Sequence, residues 1–357
     1  MCIRDRYFTG LPEGFEGEAE LHAKLEGPLA DRSRIEAHLT IPTFSAGYQN
    51  LQIASVAPIR ADLIHSTLTL QPAQIRGTGT SLDLGGTVPI AGDAPMNLTA
   101  KGSLDVRIVQ ILRPDIHSSG SVTLDVHTSG TAHQPAVKGQ IHVQDVAFST
   151  AAAPLGIEQL QGDLDLDGEK LQIKNLTAQV GGGQVAAGGS ITFGPQPQFN
   201  LALEGQSVRL RYPEGVRTVL DCNLSLTGTS DASAVTGRVL IDSLSFTPDF
   251  DLNQFMNQFE GDSAPPASEG FADNMKLQIA VESTRDLNAT SSQLSLEGSA
   301  KLRVTGTAAY PVIVGRADLT SGDLFFRSNR YRLQHGLITF SNPIETEPMV
   351  NLSLIHI

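Results

Sequence analysis

A chain of 357 residues with a net charge of −13 is ill suited to nucleic acid or to electrostatic docking on anionic lipid headgroups, both of which attract basic surfaces. Apolar residues make up 40% and aromatics 5%, tryptophan is absent, and 34 glycines punctuate the chain, which points away from one large core and toward many short strands joined by turns. No apolar run approaches the ~18 residues that a membrane-crossing helix needs, so any contact with lipid has to be made by an apolar surface of another kind.

Residues 1–6 and 352–357 are expected to be foreign. Met1-Cys2-Ile3-Arg4-Asp5-Arg6 and Leu352-Ser353-Leu354-Ile355-His356-Ile357 can be encoded by DNA segments that are reverse complements, as if one adapter element had been translated at both ends. Neither is then expected to contribute to the native fold, and Met1 says nothing about a leader or an anchor. Cys222 becomes the only native cysteine, so no internal disulfide is expected and burial has to hold the fold. It lies two residues from Leu220 and from Leu224, on their side of a strand, where a buried structural thiol is expected rather than a nucleophile.

Along the chain the dominant pattern is period-two alternation, which marks strands with one buried face. An N-terminal β-repeat region covers 7–129. Within it Val106, Val109 and Leu112 stand at helical spacing, which predicts a short helix over 105–116. A central β-repeat region covers 130–260, with alternation at Leu164/Leu166, Leu171/Ile173, Ile191/Phe193, Leu201/Leu203 and Leu220/Cys222/Leu224/Leu226. Gly181 to Gly183 and Gly188-Gly189 read as tight connections between strands. Leu252, Phe255, Met256 and Phe259 form a second helical stripe over 252–259, and either helix suits the capping of an open sheet end. A flexible loop is expected over 261–274, which lacks periodicity and carries Pro265-Pro266. The last region, 275–351, alternates at Leu277/Ile279/Val281, Leu294/Leu296 and Leu302/Val304.

A longer repeat overlies the strands. Units opening with Gly-Thr at Gly130, Gly228 and Gly306 each carry a second glycine, at Gly139, Gly237 and Gly315, and then run as alternating strand to Phe148, Phe246 and Phe325 or Phe326. Self-similarity of this kind implies an elongated array in which each unit buries its apolar face against its neighbours.

No motif for catalysis is complete in this sequence. Asp163, Asp165, Asp167 and Gly168 match the opening of a calcium loop, but its twelfth position is Lys174 instead of a bidentate Glu, and the flanks are strands. The expected reading is the solvent face of a strand. His117, His127, His133 and His142 lack zinc-motif spacing with supporting Cys or Glu. Nucleophile elbow, Walker loop and dinucleotide fingerprint are all missing. The chain is expected to be no enzyme and to hold no cofactor or metal.

From Gly306 onward the sequence resembles the C-terminal region of the TamB/AsmA-like family. The matching elements are the Pro311/Gly315/Gly322 turn into a strand, the strand Arg330-Tyr331-Arg332-Leu333, the Gly336/Ile338/Phe340 strand, and the proline-bearing Pro343/Pro348/Val350 segment. The resemblance implies an all-β fold, an elongated, repetitive sheet curled into a half-pipe (a β-taco) with an apolar interior and one or two short helices. It implies a periplasm-spanning protein of outer-membrane biogenesis, anchored in the inner membrane through a missing N-terminal part, with an outer-membrane TamA-like barrel as partner.

The expected ligand is the acyl part of a phospholipid. The expected groove lining is Leu164, Leu166, Leu171, Ile173, Leu201, Leu203, Leu224, Leu226, Leu277, Ile279, Leu294, Leu296, Leu302, Val304, Ile338 and Phe340. Strands spaced about 4.8 Å apart can build an unbroken apolar track. The alternatives are that the two walls meet as a dry core, that the array is a passive scaffold or surface fibre, or, third, that it is a polysaccharide-lyase-type enzyme on a β-helix, for which no basic or acidic cluster stands at one place.

Overall fold

The computed structural model describes residues 14–27, 36–90, 94–113, 115–131, 135–150, 155–194, 196–211, 215–247, 270–285, 287–290, 294–326 and 329–357. The described chain is almost entirely strand and divides into two compact units, Met1–Leu176 and Thr177–Ile357. That division falls inside the 130–260 segment.

In the first unit the strands are β1 (Phe15–Ala19), β2 (His22–Glu26), β3 (Glu36–Ile41), β4 (Phe44–Tyr48), β5 (Leu51–Ser55) and β6 (Ile59–Ile64). They continue with β7 (Thr67–Gly77), β8 (Thr80–Pro89), β9 (Asn97–Asp105), β10 (Ile116–Gly130), β11 (Pro135–Thr150) and β12 (Ile157–Gly168). β13 (Lys170–Val180) carries the chain across the boundary. From β7 to β12 each strand pairs antiparallel with the next. On its other side β7 forks. Its first half pairs with β6, which leads to β3 and β2, and its last residues pair with β5, which leads to β4 and β1.

The second unit holds β14 (Gly183–Thr192), β15 (Gln198–Leu210), β16 (Val216–Thr229), β17 (Ser233–Phe246), β18 (Met275–Ser283) and β19 (Leu287–Thr290). β20 (Leu294–Gly306), β21 (Pro311–Phe326), β22 (Asn329–Phe340) and β23 (Pro348–His356) complete it. Neighbours pair antiparallel from β14 to β17 and from β20 to β23. Between these runs β18 and β19 lie end to end as one rung, parallel to β17 and antiparallel to β20.

The sequence repeat is now legible as geometry. Gly130 and Gly306 end β10 and β20, Gly228 is the last residue but one of β16, and the following turn returns the chain as β11, β17 and β21. The second glycine of each unit lies inside the returning strand at positive φ: +146° at Gly139, +148° at Gly237 and +127° at Gly315. A Cβ at Gly237 would run into the Asn223 carbonyl oxygen of the paired strand, so only glycine allows the two backbones to approach there.

Several local expectations need correction. Gly181 and Gly182 do form the turn after β13, but Gly188-Gly189 is not a connection: both residues lie inside β14, with Gly189 at φ +122° against the Asn200 carbonyl. The helix over 105–116 is shorter than expected, a 3-10 turn at Val106–Ile108 followed by α1 (Val109–Leu112), and Ile116 already begins β10. Its buried apolar residue is Ile111, which is outside the expected stripe. The helix at 252–259 lies outside the described residues. At the end of the expected 261–274 loop, Phe271–Asn274 is a helical turn, α2, in which the Asp273 carboxylate accepts the Gly270 N–H at 3.0 Å. Among the described residues no helix is long and apolar enough to cross a membrane.

Candidate functional site

Residues directly opposite each other on paired strands project from the same face of the sheet, so register alone shows which side chains share a surface. In the second unit Leu201 is opposite Leu226, Leu226 opposite Val235, and Val235 opposite Leu277. Two residues along, Leu203, Leu224, Gly237, Ile279, Val304 and Ile313 form the next ladder. Beyond it Val281, Leu302, Gly315 and Phe340 are aligned, with Ile338 opposite Ala317. Ten of the expected lining residues thus share one face: Leu201, Leu203, Leu224, Leu226, Leu277, Ile279, Leu302, Val304, Ile338 and Phe340. Every one of these ten is half-buried.

The same face closes at the other end of the strands. Leu294 is 5% exposed and Val216 is 6% exposed, and they form one buried cluster with Leu244, Phe246 and Leu296 packed around them. β16 and β20 are three rungs apart, about 14 Å on a flat sheet at ordinary strand spacing. Their side chains can share a cluster only if the face is concave there. Leu294 and Leu296 therefore belong to a closed seam, set apart from the ten half-buried residues above. Val208 (7% exposed) and Leu333 (2%) extend that seam.

The seam coincides with the β-bulges, which slip the register between Gly205 and Val208, between Val219 and Leu220, and between Glu297 and Gly298. Each extra residue turns the strand's other parity inward and tightens its bend. Simple alternation hides this: Val208 is out of phase with Leu201 and Leu203, yet faces the same side. The signal that finds it is the polar pair Gln206-Ser207, with Ser207 at φ +54° and its N–H donated to the Asp221 carboxylate at 2.7 Å.

The first unit repeats the arrangement. Leu164, Ile141, Leu124, Gly102 and Leu82 align across five strands, and Leu166, Gly139, Val126, Ala100 and Leu84 align beside them. Leu164, Leu166, Leu171 and Ile173 are all half-buried. An open apolar pocket of about 250 Å³ lies on this face, walled by Leu70, Leu84, Leu98, Ala100 and Val126. The closed side lies at α1, where Ile111, Val143, Val146 and Ser118 are buried. Ser118 Oγ donates to the Val106 carbonyl and Gln110 Nε2 donates to the Ser118 carbonyl, which fixes α1 over the strand ends.

The opposite face carries the charge. Asp163 is joined to His142 Nδ1 at 2.7 Å, Lys101 to Asp125 at 2.7 Å, and Lys174 to Asp165. The calcium-like run is therefore one face of strand β12, and its twelfth residue neutralises a carboxylate instead of supplying one. His117, His127 and His142 are exposed on strands, and His133 lies outside the described residues. Cys222 shares the inner face with Gly205 and Val239, and burial pushes its thiol above the ordinary range, away from the reactive thiolate.

Among known families, a model described as the TamB C-terminal domain matches residues 174–356, just over half of the chain. No curated protein matches, and no solved structure matches.

Proposed function

This chain belongs to the TamB family, whose members serve the bacterial envelope, and from that membership we propose that it is a non-catalytic conduit for phospholipid acyl chains. In this reading the protein works in the periplasm, is held to the inner membrane by a part of the parent protein outside this chain, and delivers to an outer-membrane TamA-like barrel. Assistance to outer-membrane protein assembly belongs to the same proposal.

One observation supports the conduit above the rest. The aligned apolar ladders of the second unit stay half-exposed while the same face is sealed a few residues away. A sheet that needed only stability would bury both. Each methylene withdrawn from water contributes about 0.8 kcal/mol, so a sixteen-carbon chain laid along the track is favoured by roughly 12 kcal/mol over an exposed one. The charged outer face keeps the assembly soluble without interrupting the track.

The test is photo-crosslinking from the inner face. A photoreactive residue at Leu226 or at Phe340 should capture phospholipid from a native membrane extract, and one at the outward, exposed Asn223 should not. Absence of lipid from both inward positions would replace the conduit with a passive scaffold.

A further inference from the structure

The open side of the second unit ends in a rung of unusual composition. Phe199 is opposite Gly228, Gly228 opposite Ser233, and Ser233 opposite Met275, so two small residues sit between two large ones. Phe271 of α2 reaches back to this rung, its ring 5.3 Å from that of Phe199. α2 is held by the hairpin beyond β20: the Ala309 N–H donates to the Ala272 carbonyl and the Ala308 N–H to the Met275 carbonyl.

At this rim lies a cavity of about 560 Å³, walled by Asp231, Ser233, Asp273, Asn274, Lys276 and Thr307 among others. Its character differs from the apolar track one rung away. Two carboxylates and one ammonium border it. Ser233 is 4% exposed, and its hydroxyl has no hydrogen-bond partner. A buried hydroxyl left unpaired is costly and uncommon in folded proteins, and it marks a place where a further polar group belongs.

We propose that this cavity receives the headgroup of a zwitterionic aminophospholipid whose acyl chains lie along the adjoining Leu201–Leu226–Val235–Leu277 rung; the assignment rests on the conduit reading above. Lys276 meets the phosphate, and Asp231 and Asp273 meet the primary ammonium. Asp231 is already positioned for this by Gln196 Nε2 and Ser230 Oγ, both at 3.0 Å. A purely anionic headgroup would bring its phosphate against two carboxylates with one ammonium to balance them, and a quaternary, trimethylated ammonium would offer no N–H to either carboxylate. Phe271 and Phe199 then stand beside the junction of headgroup and acyl chain, where aromatic rings suit an environment wet at one end and apolar at the other.

The absence of tryptophan makes the test direct. Leu226→Trp places a single fluorophore on the track, Phe340→Trp provides an aromatic-for-aromatic second position, and Ser225→Trp on the outer face reports simple partition into lipid. Each is titrated with phospholipids carrying brominated acyl chains, which quench tryptophan on contact, and bearing ethanolamine, choline or glycerol headgroups. The expected result is quenching at positions 226 and 340 with about tenfold tighter half-saturation for ethanolamine than for glycerol lipid, the scale of one charge-assisted hydrogen bond. Adding Asp231→Asn with Asp273→Asn should shrink that preference to about twofold while quenching persists. Equal quenching by all three headgroups, or a preference that survives the double substitution, overturns the headgroup site and leaves the conduit standing. No quenching at either inner position, or equal quenching at Ser225→Trp, overturns the conduit as well.

Discussion

Leu294→Ala and Leu226→Ala separate a sealed seam from an open track. Leu294 is 5% exposed against Val216, Phe246 and Leu296, so its truncation removes buried methyl groups and leaves a cavity. Such changes cost about 2–5 kcal/mol, and about 3 is expected here. Leu226 is half-buried on the same face, so part of its side chain is already in contact with water and its truncation should cost about 1 kcal/mol. For a unit of this size each kcal/mol moves the melting temperature by roughly 2–4 °C, which sets an expected fall of about 6–12 °C for Leu294→Ala and about 2–4 °C for Leu226→Ala. Calorimetry of the two variants, paired with lipid crosslinking from Phe340, reads both quantities. Leu294→Ala should lower stability, and Leu226→Ala should lower crosslinking. A carboxylate sharpens the contrast: Leu296→Asp should disrupt the seam by several kcal/mol, while Leu226→Asp should fold and interrupt lipid contact. Equal losses of stability from both alanine variants, with crosslinking unchanged, would mean that the whole face is a dry core.

Gly237→Ala should destabilise the second unit by about 1–3 kcal/mol in urea unfolding, because φ is +148° and the new methyl meets the Asn223 carbonyl; a neutral result would refute the close approach of the two backbones there. Burial pushes the Asp105 carboxyl up, but hydrogen bonds from Arg107 pull it further down, leaving it below the ordinary carboxylate range. A group depressed in the folded state stabilises above its unfolded pKa of about 4 and loses that contribution as pH falls through the folded value. Asp105→Asn should therefore cost about 1–2 kcal/mol at pH 7 and flatten the acid limb of the stability profile; an unchanged limb refutes the pairing. In a Cys2→Ser background Cys222 should react with a maleimide more slowly than a free thiol at pH 8, since burial raises its pKa, and equal rates would contradict its inward placement. Calcium should leave the melting temperature unchanged because Lys174 pairs with Asp165, and a rise would revive the loop reading of 163–168.

Strand identity and facing were legible because they depend on a single alternation that each strand carries in itself. Leu203, Leu226, Ile279 and Val304 could be placed on one side without knowing which strand neighbours which. The seam was not legible, since a bulge changes phase through one inserted residue: Val208 and Leu333 look misaligned until their partners Leu220 and Gly322 are known. Gly189 looked like a turn because φ above zero serves both a turn and a bend, and only the strand opposite it distinguishes them. The fork at β7 and the parallel rung at β18 depend on pairings between distant segments, which local pattern does not encode. The Phe271 contact with Phe199 was hidden for the same reason, and because α2 follows a stretch that has no periodicity.

The parallel rung has a consequence for how this protein comes into being. A hairpin such as β16–β17 can zip as soon as its second strand leaves the ribosome, because its partner is already there. β17 then offers a bare row of N–H and C=O groups that no adjacent segment can satisfy; its other neighbour begins only at Met275. Closing a parallel join requires a long crossover and is slow compared with hairpin formation. Throughout that wait the chain presents an unpaired edge of alternating Val235, Val239 and Ile241, the kind of surface on which nascent chains associate with one another. Synthesis rate and chaperone supply across the stretch from Phe246 to Met275 should therefore govern the yield of this protein more than any substitution on its finished surface.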